Sequence, residues 1–320
     1  MRVKPILSLF FLSALALPAQ DLVRLGNLKF AHYGAVSYMK ELAPKYNLKI
    51  EERMFAKGID INPAIVAGEI DASAAALDAA IAGRAVGVPI YVVAGFAKGG
   101  VRIVVGATSG IKSLKDLKGK KVGVARGGAQ EVLLLAELAK TGLTWSDKPG
   151  KDVLVLYLPF ADLNQTLMAK NIDAMCQSEP YSSQAINRKF GVELMKPYDT
   201  PIGEPIRALV ITEKLYKERR DVAQRFLLCF VEATTKFIDE PKTAEKYVRE
   251  IMFKNQISSE DYQDAIGNSP FTYDITVHHV QITTDLMAKY GVGKMANPPK
   301  AGDWVKLDLL AEAKKQLKVK

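Results

Sequence analysis

Short apolar runs with a period of two alternate along this chain with segments whose apolar residues recur at helical spacing. Leu22 to Phe30 reads as a first strand, and Ala35 to Tyr46 as a helix that stops before Asn47. Leu48 to Met54 alternates as a second strand, and Ile61 to Ala67 predicts a short helix. Gly68 to Ala72 leads into a third strand, after which the alanine-rich stretch Ala74 to Ala85 reads as helix. Pro89 to Phe96 and Val101 to Gly106 are short β-branched runs. The same alternation continues through 108–204. It predicts a helical turn at Leu114–Leu117, strands at Lys121–Ala125, Val153–Leu158 and Ile172–Gln177, and helices at Gln130–Thr141, Asp162–Ala169 and Tyr181–Phe190. Ile206 to Ile211 is a further polar-poor strand. From Glu213 onward the pattern is helical at 219–238, 241–253, 258–267, 276–290 and 303–318, with Pro298-Pro299 breaking the chain before the last helix.

Strands alternating with helices predict an α/β fold with parallel sheets. The order suggests a first lobe at 20–106 and 207–320, carrying the C-terminal helices, and an inserted second lobe at 107–206. Strands near 101–106 and 206–211 would link the two. In open α/β sheets, ligands sit beyond the carboxyl ends of strands, so a cleft between the lobes is the expected site.

The amino terminus has its own pattern. Arg2 and Lys4 precede an uncharged run, Pro5 to Leu17, followed by Leu17-Pro18-Ala19. This is the layout of a secretory signal, with cleavage expected after Ala19. The run is shorter than the ~20 apolar residues a membrane-spanning helix needs. No cysteine follows the cleavage point, so lipid attachment there is not expected. The expected location is a bacterial periplasm.

Composition changes the picture little. The chain has 320 residues, 44 Lys+Arg against 35 Asp+Glu, a net charge of +9, 48% hydrophobic residues and 25% charged ones. This is ordinary globular usage and excludes disordered, collagen-like and disulfide-scaffold classes. Loss of Arg2 and Lys4 with the signal lowers +9 to +7. A moderate, dispersed excess of positive charge does not indicate a nucleic-acid binder. The two cysteines, Cys176 and Cys229, fall in different predicted lobes and are expected to stay unpaired.

Several stretches carry a family likeness. They are Ala67-Gly68-Glu69-Ile70-Asp71-Ala72 with Gly87 to Gly95, and Ser113-Leu114-Lys115-Asp116-Leu117-Lys118-Gly119-Lys120-Lys121-Val122-Gly123-Val124 followed by Arg126-Gly127-Gly128. To these add Asn171-Ile172-Asp173-Ala174 leading to Glu179-Pro180-Tyr181, and Asp221 to Val248 with the break at Glu240-Pro241. Over roughly residues 22–255 the chain resembles the periplasmic solute-binding proteins of ABC importers, in the nitrate/sulfonate/taurine and thiamine-precursor group. The resemblance implies a two-lobed type II binding-protein fold, capture of a small-molecule ligand by hinge closure, and docking of the closed monomer on a membrane permease.

Candidate site residues follow. Gly127 and Gly128 lie between a strand and the helix beginning near Ala129 and Gln130, where backbone amides suit an anionic group. Arg126 would add a bidentate donor; the bland reading is a glycine turn with a solvated arginine. Neither G-x-G-x-x-G nor a P-loop is present. His32 and Tyr33 follow the first strand, where the resemblance implies ligand contacts. Ala76 and Leu77 occupy a strand-to-helix turn that also matches a family contact, and offer only amides or apolar surface. Asp78 beside them reads as a cap or first-turn acid. Asp162 is a candidate that reads first as an N-cap. Tyr181 is the better candidate of its stretch; Glu179 either pairs across the lobes or meets a ligand amine. Arg207 opens the return strand and would pair with an anion or with Glu179. His278-His279 reads as surface, since adjacent helical residues do not share a face.

No nucleophile–base set, metal motif or cofactor motif is present, so no enzyme activity and no cofactor are expected. The alternatives are a periplasmic sensor presenting its solute to a receptor and, third, a thiamine-pyrimidine enzyme, whose cysteine-rich motif is missing here. The charge balance, Arg126 and the glycine turn favour an anion, while Tyr33, Tyr181 and Phe160 suit an aromatic or heterocyclic solute.

Overall fold

The computed structural model describes residues 20–319. The signal segment 1–19 lies outside the described residues. The chain opens with β1 (Asp21–Leu28), α1 (Gly34–Leu42), β2 (Leu48–Phe55), α2 (Ile61–Val66), β3 (Ala72–Ala76), α3 (Leu77–Ala85) and β4 (Ile90–Lys98). It then crosses to β5 (Val101–Gly106), β6 (Lys121–Val124), α4 (Ala129–Lys140), β7 (Trp145–Ser146), β8 (Val153–Tyr157), α5 (Phe160–Met168), β9 (Ala174–Ser178), α6 (Tyr181–Asn187) and β10 (Gly191–Met195). It returns through β11 (Ile206–Thr212) into α7 (Glu213–Glu218), α8 (Arg220–Asp239), α9 (Pro241–Lys246), α10 (Ser259–Asn268), α11 (Val277–Tyr290), α12 (Ala301–Trp304) and α13 (Asp308–Leu317).

Two sheets result, ordered β2-β1-β3-β11-β4 and β10-β5-β9-β6-β8-β7. They are mixed rather than purely parallel. The strands that begin and end the excursion to the second sheet run against their neighbours: β11 is antiparallel to β3 and β4, and β5 to β9 and β10. The sequence placed 101–106 with the first lobe, but β5 hydrogen-bonds into the second sheet, so the crossing falls at Gly99-Gly100. Both glycines have positive φ, 60° and 77°. A Cβ on Gly99 would stand 2.3 Å from the Asn268 carbonyl oxygen, and one on Gly100 2.8 Å from the Ser269 hydroxyl. Only glycine fits a turn that is both left-handed and this crowded.

Most elements fall within a residue or two of the sequence pattern. The exceptions have physical causes. Ala72–Ala76 is a strand, not the start of a helix, because pairing with β1 and β11 on both sides overrides alanine's helix preference. The segment 303–318 is two helices, α12 and α13, and 241–253 passes from α9 into a π-helical turn at Tyr247–Met252. The pattern did not mark β7, of two residues, or β10, a sheet-edge strand in which only Gly191 is buried. α11 is capped as its sequence suggests: the Thr276 hydroxyl accepts from the His279 amide at one end, and Gly291 takes the left-handed conformation at the other.

α8 packs its Phe226, Phe230 and Phe237 face against α1 and α13, burying the first sheet's outer side. Each fully buried aromatic of this kind contributes ~1.5–3 kcal/mol. Cys176 on β9 and Cys229 in α8 are both buried and free. Among the described residues, no helix is long and apolar enough to cross a membrane.

Candidate ligand-binding cleft

The carboxyl ends of β1 and β3 face those of β6 and β9 across a narrow cleft. The first sheet contributes His32, Tyr33, Ala76, Asp78 and Arg207 to its walls; the second contributes Arg126, Gly127, Gly128, Gln130 and Phe160. These side chains arrive there because each follows, or in Arg207's case begins, a strand that ends at the cleft.

Arg207 is the buried cation of the site. Its residue lies opposite Ala76 in the β11–β3 pairing and is 2% exposed. Nη1 donates to the Gly99 carbonyl at 2.7 Å, and Nη2 has no partner. His32 is equally buried, with neither ring nitrogen hydrogen-bonded. Burial, reinforced by the Arg207 charge, holds its pKa well below the ordinary value, so the imidazole is neutral. Its ring stacks on Phe30 at 5.8 Å. Phe30 in turn meets Phe160 and Tyr181 edge-on at 5.5 and 5.9 Å, an aromatic contact from one lobe to the other.

Asp78, expected as a cap or first-turn acid, does lie in the first turn of α3, but it also lines the cleft, which the sequence reading missed. It is the second residue of α3, is 1% exposed, and neither carboxylate oxygen has a hydrogen-bond partner. Burial pushes its pKa up to about 7, against the pull of its own amide, the Arg207 charge and the Ala129 amide from the opposite lobe. That amide lies near enough to favour the ionised form, yet does not close a bond of ordinary geometry. The signal was present in the sequence, as an acid in an otherwise apolar strand-to-helix turn. Lys57, Phe30 and Ser178 also line the cleft and were not anticipated.

The glycine turn differs from expectation in one respect. Gly127 does not offer a free amide: its N–H donates to the Glu131 carboxylate at 2.6 Å. The turn itself needs glycine, since Gly127 has φ 77°. A Cβ on Gly128 would meet Gln130 Oε1 at 2.7 Å. Gln130 is buried and lines the cleft, whereas Ala129 does not line it and only its amide faces Asp78. Arg126 stands at the rim, its side chain 52% exposed, with the guanidinium 3.6 Å above the Tyr157 ring and 3.4 Å from Asp147.

Besides Ala129, four candidates lie elsewhere. Leu77 is buried in the core. Tyr181 supports the wall through Phe30 without lining the space. Asp162 is exposed and is not an N-cap, because α5 starts two residues earlier and Pro159 holds the cap position. Glu179 is fully buried away from the space, and pairs with Arg102 rather than Arg207. Its Oε1 is 2.9 Å from Arg102 Nε, and it accepts from Ser183 Oγ and Asn268 Nδ2, both at 2.7 Å. Arg102 also forms a two-pronged pair with Asp264 of α10, at 2.8 and 2.9 Å. The cluster ties α10 to the second sheet. Among the described residues, no group of three or more His, Cys, Asp or Glu is placed to hold a metal ion, and His278 is exposed.

Comparison with known proteins agrees with this fold. Residues 20–252 match the NMT1-like family. The nitrate/nitrite binding protein NrtA of Nostoc sp. is 24% identical over 124 residues, 38% of this chain and 27% of that protein. A putative aliphatic sulfonates-binding protein of Escherichia coli is 35% identical over 94 residues, 29% of this chain and 28% of its own. The match thus spans little more than a quarter of either relative's length. Among solved structures, the alkanesulfonate-binding protein SsuA of Xanthomonas axonopodis pv. citri, bound to MOPS, superposes with a TM-score of 0.75 at 18% identity, covering 91% of this chain and 99% of that one. The fold is that of the periplasmic binding proteins.

Proposed function

The chain belongs to the NMT1-like family, and from that footing we propose that it is the periplasmic solute-binding component of an ABC importer, capturing a small anion between its lobes and delivering it to a membrane permease. The observation that carries this reading is Arg207. A guanidinium buried to 2% exposure, with one nitrogen unpartnered, sits in a cleft whose other deep polar side chains include a neutral histidine. A buried guanidinium with an unfilled donor is costly, and an anionic ligand supplies the missing acceptor. The nitrate- and sulfonate-binding names of the relatives point to the same ligand class.

In this reading the first lobe is 20–99 with 206–320 and the second is 100–205, since β5 belongs to the second sheet and β11 to the first. They move about the Gly99-Gly100 crossing and the return segment before β11. The signal at 1–19 directs export, so the amino terminus of the mature protein is Gln20. Purified mature protein is screened by thermal unfolding with nitrate, short alkanesulfonates, small carboxylates and pyrimidines. A ligand present at 100 times its Kd stabilises by about 2.7 kcal/mol. Absence of any shift across the whole set overturns the reading.

A further inference from the structure

We propose that this cleft takes up its anion together with a proton, and that Asp78 is the group that receives it. The inference rests on the anion-binding reading above and specifies how that site works. Asp78 and Arg207 line the same space, both almost wholly buried, yet the carboxylate has no hydrogen-bond partner and Arg207 Nη2 has none either. With Asp78 ionised, the deep end of the cleft carries one negative and one positive charge beside a neutral His32. A monovalent anion entering there leaves a net buried negative charge, which is strongly unfavourable. It also competes with Asp78 for the donors that face it, Arg207 from β11 and the Ala129 amide at the start of α4. With Asp78 protonated, the deep end is a single cation, and the anion neutralises it. The proton comes from the buffer acid, forms the carboxyl O–H, and leaves Asp78 able to donate to the bound oxyanion.

The surrounding charges leave Asp78 as the group that must change state. His32 and Tyr33 follow β1 and are buried and neutral, and Lys57 and Arg126 are exposed at the rim. Glu131 of α4 is engaged by the Gly127 amide, and its charge adds to the tendency of Asp78 to hold a proton. Asp60, in the turn packed on α3, and Asp285 and Lys289 of α11 are solvent-exposed and do not line the space. The pKa near 7 lets Asp78 exchange its proton under ordinary conditions.

The test is calorimetric binding of nitrate, ethanesulfonate and acetate to the mature protein and to Asp78→Asn, between about pH 5.5 and pH 8.5. Two buffers of different ionisation enthalpy are used, so that proton uptake is counted directly. In the wild type, affinity falls with rising pH, by up to about tenfold per unit above pH 7, and close to one proton is taken up per anion at about pH 8. Asp78→Asn, neutral at every pH, binds more tightly than wild type at about pH 8 and takes up no proton. Wild-type binding without pH dependence or proton uptake overturns the proposal and leaves the anion-binding reading intact; this arm does not depend on the variant folding. An unchanged pH slope in Asp78→Asn, or preference of the wild type for a cationic ligand, also overturns it. If none of the probes binds at any pH, the anion-binding reading falls, and the proposal with it.

Discussion

Arg207 and Ala76 stand opposite each other in the antiparallel pairing of β11 with β3. This register places the guanidinium at the sheet end where α3 begins, two residues before Asp78. Arg207→Ala is expected to weaken binding of an anionic solute by about 1.5–3 kcal/mol, the scale of a charged hydrogen bond. Calorimetry with the ligand found by thermal screening checks this, and unchanged affinity removes Arg207 from the site.

Arg126 is expected to matter much less. Its guanidinium is half exposed and already occupied by Tyr157 and Asp147. Exposed pairs and cation–π contacts of this kind contribute ~0.5–1 kcal/mol. Arg126→Ala should therefore lower affinity no more than a few-fold. A loss as large as that of Arg207→Ala would show that the side chain swings inward on binding.

Glu179 is a structural anchor. Glu179→Ala leaves Arg102, 4% exposed at its side chain, with only its outer partners Asp264 and Glu193. Breaking a buried pair from one side costs about 3–5 kcal/mol. Denaturant unfolding measures the loss, and a cost under about 1 kcal/mol refutes the role.

Gly99→Ala tests the crossing. The left-handed φ and the 2.3 Å approach to the Asn268 carbonyl leave no room for a methyl group. The substitution should destabilise by about 2 kcal/mol or more, read from the unfolding midpoint. Gly68→Ala, with positive φ but open surroundings, isolates the backbone share and should cost about 1 kcal/mol.

Asp78 also gives stability a pH dependence. Its folded pKa, about 7, lies above its ordinary value of 3.8, so the folded state binds the proton more tightly than the unfolded chain does. Stability from this group is full below the unfolded value and is lost as pH rises through about 7. Comparing unfolding of wild type and Asp78→Asn across that window isolates the effect: the wild type should lose stability relative to the variant as pH rises.

Much of this was legible in the sequence because it is local. His32, Tyr33 and the Gly127-Gly128 turn come directly after strands whose alternation is plain, so their place at a cleft follows from strand order. Arg207 is legible in the same way, at the start of the return strand. The failures are non-local. Ala72–Ala76 has no polar alternation to betray a strand and becomes one only between β1 and β11. The partner of Glu179, Arg102, lies on another strand, and no spacing rule connects them. Asp78 looks like any first-turn acid until the second lobe covers it. The engagement of the Gly127 amide by Glu131 is a four-residue relation and was within reach of sequence reasoning.

The Arg102–Glu179–Asp264 cluster, with Asn187 of α6 bonded to Asp261 of α10 at 3.0 Å, sews one side of the cleft shut. Lys57 and Arg126 line the same cleft from its exposed rim, so the rate at which an anion enters, more than the depth of binding, should respond to salt.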